Sequence, residues 1–556
     1  MSIDLSLDRI RVLLKKLPAY TRPTCHIAGT NGKGSVSALL TSIFRASSYR
    51  IGRFNSPHLV SVYDSITVDD IPVNTSVFDK AKSRVEKANA DSAIGASNFE
   101  LLTATALLIL EEAKVDIAVI EVGMGGRLDA TNVISDENIL VSALTAVDLD
   151  HQAFLGTTVS EIAKEKAAIV RSGKPFVLGP QKHAEVENVV ANAVGLVGGD
   201  FIKASVPFKR RWDPLSDGNF HSITSFSPNV FSQPPPQPVQ ICLPCFSDPL
   251  RVLLPLQGDH QLQNLGTALS VVSALLTHPS AINHANLQLK NKVTIETVSK
   301  GVRNTRWPGR LSFHQVNLPT RLSPDNSVSS NGTPFTVLVD GAHNPSSSTT
   351  LNTYISSLLT QLVSSSESPQ TPPGTKRHRT INLTYILALS HSPPKTPIQT
   401  LSPLIPPQLP KQPSHPNCQF TLKLNIAVLR FTPPEGMPWV KSVPPSELRE
   451  VVSALVGQEK EKGSSEVDVE FWSPDDSTNF SSIQEQLPMA LNWAASSAAR
   501  KTKTNLDENR NGGLEGGGGI RNNGDLDNGE EESLIIIAGS LYLVADFYRL
   551  IGYNHV

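Results

Sequence analysis

A short glycine-rich stretch near the start of the chain holds one lysine and lies between an apolar run and a helical pattern. It comprises Gly29, Thr30, Asn31, Gly32, Lys33, Gly34 and Ser35. Glycine lets backbone N–H groups approach phosphate oxygens, a helix N-terminus adds its positive end, and lysine adds a point charge. The strict nucleotide-loop pattern would place glycine at Ile27 and a hydroxyl at Gly34. The stretch therefore predicts a shorter phosphate cradle, with a generic glycine-rich turn as the alternative.

Carboxylates and an imidazole follow two apolar runs further along the chain. The strand predicted over residues 116–121 is apolar between Asp116 and the Glu121 that ends it. Buried parallel strands have this composition, and ligands of open α/β sheets gather beyond the carboxyl ends of the strands. We therefore expect Glu121 to bind a metal or water beside the phosphates, with a capping carboxylate as the alternative. Asp150 and His151 follow the run 139–144 and suggest the same ion, although a lone histidine is more often structural.

One lysine lies on the apolar face of the helix predicted over residues 157–171. The apolar positions of this helix are spaced by three and four, at Val159, Ile162, Ala163, Ala167 and Val170. Lys166 falls on the same stripe, whereas Lys164 and Glu165 do not. Because burial disfavours a cation, we expect a lowered pKa and a nucleophilic amine at Lys166. A lysine whose amine reaches water is the alternative.

Length, charge and cysteine content narrow the class of protein. A chain of 556 residues can form two or more domains. Lys and Arg total 49 against 51 for Asp and Glu, so no basic face is implied and nucleic acid is not expected as a partner. Four cysteines cannot build a disulfide framework, which suits a reducing compartment.

The sequence shows no feature that would direct the chain into a membrane or through the secretory route. Its first residues carry two acids and no apolar signal core. The late apolar run 534–544 is interrupted by a Gly-Ser pair and is too short to span a bilayer. We therefore expect a cytoplasmic protein. A mitochondrial address is kept as the alternative to a first helix of the fold, because of Arg11, Lys15 and Lys16.

Two α/β domains are predicted, over residues 1–309 and 310–556. The second repeats the pattern of the first, because an apolar strand ends in Asp340 and leads through a polar turn to a helix with proline near its start. Further strands are predicted at 385–389, 426–431, 467–471 and 534–538. Four segments of biased composition are expected to be insertions, the first with strand fragments and the others disordered at the surface: 203–248, 363–379, 391–418 and 501–532.

Nine motifs in order resemble the folylpolyglutamate synthase and dihydrofolate synthase family of the Mur-ligase group. They are GTNGKGS from Gly29, SPHL from Ser56, EVGMGGRLDATN from Glu121, DH at Asp150, EKA at Glu165, HQ at His260 with Asn264, WPGR at Trp307, DGAHN at Asp340 and GSLY at Gly539. The resemblance covers both domains and fails only in the insertions. It implies a Mur-ligase-type P-loop ATPase domain followed by a smaller Rossmann-like α/β domain. Ala168 departs from the pattern, since many relatives have glycine there.

The resemblance also implies a role for each residue that matches a family motif. ATP would contact Lys33 and the other cradle residues, together with Asn264, Arg310 and Asp340. Magnesium would be held by Ser56, Glu121 and His151. The pterin would lie near Pro57, His58, Arg127 and Asp150. The incoming glutamate would face His343 and Ser540. The catalytic residues would be Lys33, His343 and Lys166, the last as a carbamate, and a monovalent cation is an additional expectation.

The activity implied is ATP-dependent ligation of L-glutamate through an acyl phosphate. Residues 435–440 and the pair Ser390-His391 resemble the fungal monofunctional dihydrofolate synthases, so dihydropteroate is the expected acceptor. Folylpolyglutamate synthase, which extends the tail of a folate, is the alternative. A non-catalytic nucleotide-binding regulator and a kinase are the alternatives from other classes. The expected partners are small molecules only, and the expected state is a monomer.

Overall fold

The computed structural model describes residues 6–218, 234–282, 284–317, 335–364, 377–407, 418–434, 440–461, 468–474, 483–507 and 530–553. Contacts within the chain divide it into two units, with the change from one to the other between Pro308 and Gly309. None of the helices in the described ranges is long and apolar enough to cross a membrane.

The strands of the first unit form two sheets. They are β1 (Thr24–Ala28), β2 (Ile51–Phe54), β3 (Ile66–Val68), β4 (Ile71–Pro72), β5 (Ile117–Glu121), β6 (Ile139–Leu144), β7 (Pro175–Leu178), β8 (Asp200–Lys203), β9 (Phe208–Lys209), β10 (Gln237–Ile241) and β11 (Leu250–Leu254). The larger sheet has the order β4-β3-β2-β5-β1-β6-β7-β8 and is parallel from β2 to β8. The antiparallel sheet β11-β10-β9 is separate. Every residue of β1 and β5 is buried, as the apolar run of β5 predicts, and the buried residues of β1 include the polar Thr24 and His26.

Helices cover both faces of the large sheet. They are α1 (Asp8–Leu14), α2 (Lys33–Ala46), α3 (Thr75–Asp91), α4 (Asn98–Glu112), α5 (Gln152–Leu155), α6 (Val159–Ala167), α7 (Ala184–Val197), α8 (Pro214–Asp217), α9 (His260–Thr277), α10 (Pro279–Ile282), α11 (Leu289–Lys292) and α12 (Ile295–Arg303). α2, α9 and α12 share one apolar core with the sheet. α3 and α4 form a second core, and α6 and α7 form a third. The layers explain why every residue of β1 and β5 is buried.

The second unit is built around one further sheet. Its strands are β12 (Ser312–Val316), β13 (Phe335–Val339), β14 (Arg377–Leu387), β15 (Cys418–Val428), β16 (Asp468–Trp472) and β17 (Glu530–Ala538). Their order is β12-β13-β17-β14-β15-β16, and only the β12–β13 pair is antiparallel. The helices are α13 (Pro345–Ser364), α14 (Pro397–Leu401), α15 (Pro445–Glu461), α16 (Ile483–Asp507) and α17 (Leu541–Leu550). This parallel α/β arrangement is the one predicted from the sequence.

The predicted insertions differ from the structure in part. The strand fragment expected within 203–248 exists as β10, whose Val239 and Ile241 enter the main core of the first unit. The expectation of a surface segment over 391–418 is wrong for Leu401, Leu404 and Ile405, which are buried in the core of the second unit. The proline-rich composition of the segment had suggested a surface loop, so these three apolar side chains were not expected in the core.

Other parts of the predicted insertions lie outside the described residues, namely 219–233, 365–376, 408–417 and 508–529. The same holds for 435–439, most of the stretch that suggested the acceptor. The borders of the last predicted segment were wrong, since α16 continues to Asp507 and β17 begins at Glu530.

The first helix belongs to the fold, as the favoured interpretation of the N-terminus expected. Ile10 and Leu13 of α1 are fully buried, and Leu13 packs into the core formed by α3 and α4. The basic residues of this segment therefore accompany an amphipathic helix that covers the sheet.

Candidate active site

The predicted cradle connects the end of β1 to the first turn of α2. Gly32 is the N-cap of α2 and has φ 96°, a left-handed conformation that favours glycine. A Cβ atom there would lie 2.2 Å from Oδ1 of Asn264. Gly29 also has positive φ, and its Cβ would meet the Thr145 hydroxyl at 1.8 Å. Two of the three glycines are therefore required by backbone geometry and by close neighbours.

Two lysine amines converge on one backbone carbonyl of the cradle. Nζ of Lys33 donates to the Gly29 oxygen at 3.1 Å, and Nζ of Lys166 donates to the same oxygen at 2.9 Å. Lys166 is only 3% exposed, so the prediction of an inward lysine on α6 is confirmed. Burial, and then the charge of Lys33, lowers the pKa of the Lys166 amine to about 7. The site holds concentrated positive charge beside backbone N–H groups, which suits an anion.

Glu121 supplies a carboxylate next to the Lys33 amine. It is the last residue of β5 and is buried, with Oε1 3.7 Å from Nζ of Lys33. Its Oε2 accepts a hydrogen bond of 2.6 Å from Nδ2 of Asn55. β2 and β5 are parallel neighbours, and Phe54 pairs with Ile120, so Asn55 follows β2 at the height of Glu121. Asn55 was absent from the predicted site, although it directly precedes the motif that begins at Ser56.

The turn after β2 carries a buried hydroxyl with no partner in the described parts of the chain. Oγ of Ser56 is buried and makes no hydrogen bond there, and the peptide bond to Pro57 is cis. The next residue, His58, is buried. Three successive N–H groups, of Leu59, Val60 and Ser61, donate to the Asp64 carboxylate at 2.8, 2.7 and 2.9 Å. Asp64, which sequence reasoning missed, therefore fixes this turn.

Asp150 and His151 lie in the loop between β6 and α5. His151 is exposed, has φ 52° and is the N-cap of α5, and its backbone N–H donates to Oδ1 of Asp150 at 2.9 Å. Within the described ranges, no group of three or more His, Cys, Asp or Glu side chains could hold a metal ion. The predicted magnesium site contains only two side chains of these types, those of Glu121 and His151. Its third predicted ligand is the hydroxyl of Ser56.

The glycine-rich loop after β5 lies against the lysine helix α6. Arg127 donates from its backbone N–H to the Glu165 carbonyl at 3.0 Å, and its Nε lies 2.9 Å from Oε1 of Glu165. A Cβ at Gly126 would lie 2.7 Å from the Glu165 oxygen and 2.8 Å from the Lys166 oxygen. This contact links the loop with the backbone that carries Lys166.

The start of α9 braces the cradle through amide side chains. Nδ2 of Asn264 donates to Oε1 of Gln261 at 2.9 Å, and Nε2 of Gln261 donates to Oγ of Ser35 at 3.2 Å. Both amide side chains therefore lie against the cradle, Gln261 at Ser35 and Asn264 at Gly32. Thr30 is held separately, since its hydroxyl donates to the Asp148 carbonyl at 3.1 Å.

Trp307 explains why glycine occupies position 34. A Cβ at Gly34 would lie 2.4 Å from the indole ring, so no side chain fits there. The Arg53 guanidinium lies 5.1 Å from the centre of the same ring. Trp307 begins one of the motifs, but neither residue was predicted to support the cradle.

The second unit brings two of the predicted residues together around the end of β13. Arg310 lies near Asp340 and Gly341, where a Cβ on the glycine would meet Nη1 of Arg310 at 2.8 Å. Asp340 is buried and accepts from the backbone N–H groups of Leu311 and Ala342 at 2.9 and 2.8 Å. Burial raises the pKa of Asp340 above its usual range, although the charge of Arg310 opposes the shift.

The other two predicted residues of the second unit lie at turns that begin helices. Nδ1 of His343 lies 2.8 Å from the Gly341 oxygen, and the His343 backbone N–H donates to Oγ of Ser347 at 3.0 Å. Ser540 is the N-cap of α17 and accepts from the Tyr542 N–H at 3.2 Å. Both side chains therefore hold their own turns.

Comparison with known proteins agrees with this architecture. A dihydrofolate synthetase of Saccharomyces cerevisiae is 32% identical over 455 residues, covering 81% of this chain and 87% of the yeast protein. A probable dihydrofolate synthetase of Schizosaccharomyces pombe is 28% identical over 556 residues, covering 99% of both chains. A solved structure of Mycobacterium tuberculosis folylpolyglutamate synthase, complexed with ADP and AMPPCP, matches with a TM-score of 0.62 at 22% identity, covering 99% of this chain and 96% of that one. No family model matches the chain.

The two α/β units, each with a mostly parallel sheet, define a Mur-ligase-type fold, as expected from the sequence. The yeast relative is similar enough over enough of its length to identify the family. The chain belongs to the dihydrofolate synthase and folylpolyglutamate synthase family.

Proposed function

We propose that this protein is a dihydrofolate synthase, an ATP-dependent ligase that joins L-glutamate to 7,8-dihydropteroate. The observation that carries the proposal is the convergence of Lys33 and Lys166 on the Gly29 carbonyl, beside Glu121 and the N-terminus of α2. Such a site suits a triphosphate whose terminal phosphoryl group is transferred. The names of the two fungal relatives support dihydropteroate as the acceptor.

The reaction needs activation because a carboxylate is a poor electrophile. The acceptor carboxylate attacks the γ-phosphorus of ATP, forming an acyl phosphate and releasing ADP. The amine of glutamate then attacks the acyl carbon, phosphate leaves, and the ammonium proton is lost as the amide forms. The protein must neutralise the phosphates, align the reacting atoms and exclude water from the acyl phosphate.

The first unit contributes the nucleotide side of the proposal. The backbone of residues 29–35 and the Lys33 amine hold the phosphates, because N–H groups and a cation surround the place where negative charge collects. Asn264 keeps the cradle in position through its contact with Gly32 and its bond to Gln261. In the second unit, Arg310 and Asp340 are proposed to contact the nucleotide.

Ser56, Glu121 and His151 are proposed to hold a magnesium ion. Ser56 offers a buried hydroxyl without a partner in the described ranges, and Glu121 and His151 offer a carboxylate and an imidazole. When bound, a divalent ion neutralises phosphate charge. Lys166, with a pKa of about 7, has a neutral fraction large enough to add carbon dioxide, losing a proton and becoming an anionic carbamate. A bound monovalent cation stays an expectation from the resemblance.

The remaining assignments concern the acceptor and the glutamate. Pro57 and His58, in the turn that Asp64 holds, and Arg127 and Asp150 are proposed to surround the pterin. His343 and Ser540 are proposed to meet glutamate. We place the reaction in the cytoplasm and expect the protein to act as a monomer on small molecules, without nucleic acid.

An ATP-hydrolysis assay with matched omissions tests this proposal. Purified protein is given ATP and magnesium with dihydropteroate or tetrahydrofolate, each with and without glutamate. We expect sustained phosphate release only with dihydropteroate and glutamate together. Release that requires tetrahydrofolate and glutamate, with none from dihydropteroate, would favour folylpolyglutamate synthase. Nucleotide binding without turnover under every condition would favour a non-catalytic regulator.

A further inference from the structure

A buried histidine in the first unit has no part in the proposed chemistry. His26 lies in the middle of β1, the central strand of the large sheet, and is fully buried. Burial, and then the charge of Arg171, lowers the pKa of His26 to about 3, so its ring is neutral. An apolar residue would fill this core position without the cost of desolvating a ring that can hydrogen-bond.

The ring is the first member of a buried chain of hydrogen bonds. Nε2 of His26 lies 2.8 Å from Oγ1 of Thr131, which is fully buried. Oγ1 of Thr131 in turn donates to Oδ1 of Asp129 at 2.5 Å. The Thr131 proton is therefore directed to the carboxylate, and the Thr131 oxygen accepts from a proton on His26 Nε2. This leaves Nδ1 of His26 as an unprotonated acceptor, consistent with its having no partner in the described ranges.

Asp129 is the hub of the loop that follows β5. Its Oδ1 also accepts from the Thr131 N–H at 3.0 Å, and its Oδ2 accepts from the Met124 N–H at 2.8 Å. Both ends of the loop are thus tied to one carboxylate, which is itself buried. Hydrogen bonds to a carboxylate are stronger than those between neutral groups, so this hub sets the loop conformation.

The same loop reaches the reacting groups through α6. Arg127 and Gly126 lie against the backbone of Glu165 and Lys166, with the Arg127 N–H bonded to the Glu165 oxygen at 3.0 Å. Lys166 then donates to the cradle carbonyl of Gly29. A displacement of the loop would therefore be felt at Lys166 and at Arg127.

We propose that His26 is a positioning residue, which acts through Thr131 and Asp129 to hold the loop of residues 123–132 in the conformation that binds the acceptor. This inference rests on the proposed function, in which Arg127 of the same loop is one of the residues that surround the pterin of the acceptor. The nucleotide cradle is also held by Gln261 and Asn264, so the effect on ATP binding should be smaller than the effect on the acceptor.

Steady-state kinetics of the full chain test the proposal with four variants. Thr131→Val removes the hydroxyl at nearly constant volume, His26→Leu removes the ring nitrogens, and His26→Gln keeps an N–H donor. Thr41→Val is the control, because Thr41 is also fully buried and its hydroxyl bonds, within the described residues, only to the Ser37 oxygen of its own helix.

We expect Thr131→Val and His26→Leu to raise the KM for the acceptor by about tenfold to a hundredfold, the range for residues that orient other ligands. The KM for ATP should change by less than about twofold, because the residues proposed to bind ATP are not altered in these variants. His26→Gln should restore most of the acceptor KM, and Thr41→Val should lower only the melting temperature. An equal rise in both KM values, or an unchanged acceptor KM in a folded Thr131→Val protein, would overturn the proposal.

Hydrogen–deuterium exchange without substrate separates this proposal from the proposed function. Peptides that cover residues 123–132 should exchange faster in Thr131→Val and His26→Leu than in the wild type or Thr41→Val, while those covering residues 29–35 should not change. Unchanged exchange in the loop would overturn the inference. A wild-type protein that ligates neither acceptor, with faster loop exchange in the variants, would refute the proposed function and leave His26 as the residue that orders the loop.

Discussion

The ends of two parallel strands, β5 in the first unit and β13 in the second, show different uses of buried carboxylates. At β5, Glu121 accepts from one amide side chain and lies 3.7 Å from the Lys33 amine. At β13, Asp340 accepts from two backbone N–H groups, that of Ala342 in its own turn and that of Leu311 just before the neighbouring strand β12. The first carboxylate faces the groups that would handle phosphate, whereas the second organises local backbone.

The groups around the two strand ends also differ, with lysine amines near β5 and turn-capping groups near β13. Near β5 two lysine amines share one carbonyl, which concentrates positive charge in a buried place and lowers the pKa of Lys166. Near β13 the His343 N–H and the Ser540 hydroxyl serve the first turns of α13 and α17. Similar positions at two strand ends can therefore place a carboxylate beside side-chain charges in one unit and among backbone N–H groups in the other.

The largest expected effect is on Lys166. Lys166→Met should fold and lose activity by about a hundredfold or more, because a charged group next to the phosphates is removed. Lys164→Met, on the exposed side of the same helix, is the matched control and should keep activity. Turnover of Lys166→Met is measured with and without an added short-chain carboxylate. Partial recovery of turnover with the carboxylate would favour a carbamate on Lys166 in the wild type. Full activity of Lys166→Met would break the comparison between the two strand ends.

The second-largest effect is expected for Glu121→Gln, which should lower kcat/KM by about tenfold to a hundredfold. The neutral amide no longer balances Lys33 and no longer offers a charged oxygen to magnesium. Titration of activity against magnesium should show a higher requirement in the variant. An unchanged magnesium requirement would remove Glu121 from the proposed ion site.

Asp340→Asn should affect stability more than Glu121→Gln does. The amide offers one acceptor and one donor to two backbone N–H donors, so one bond is lost in a buried place, at a cost of about 1–3 kcal/mol. Urea unfolding of both variants measures the difference. If Glu121→Gln proved the less stable of the two, the contrast between the strand ends would be refuted.

The smallest expected effect is the pH dependence of stability that Lys166 contributes. Its pKa is about 7 in the folded state, against about 10.4 in an unfolded chain. Between these values the unfolded chain binds more protons at this residue, so the free energy of unfolding should rise with pH, by at most about 1.4 kcal/mol per pH unit. Urea midpoints from pH 7 to 9, in carbonate-free buffer, should rise in the wild type relative to Lys166→Met. A constant difference would show that the amine is not desolvated.

Local patterns account for what could be predicted from the sequence. The cradle and Lys166 follow from glycine spacing and from the stripe of α6, which depend on neighbours within a few residues. Asn55 and Trp307 could not be placed this way, because their partners Glu121 and Gly34 are distant in the sequence. Leu401 was hidden because prolines around it suggested a surface segment. The roles of Asp340 and Ser540 came from resemblance alone, since nothing local distinguishes a ligand from a cap.

Mass spectrometry of the reaction products tests whether the protein adds one glutamate to dihydropteroate. Protein, ATP, magnesium and glutamate are incubated with dihydropteroate or with tetrahydrofolate, and the products are weighed. We expect dihydropteroate carrying a single added glutamate, and almost none of this product from the Lys166→Met protein. Glutamate chains growing on tetrahydrofolate, with dihydropteroate left unchanged, would contradict it.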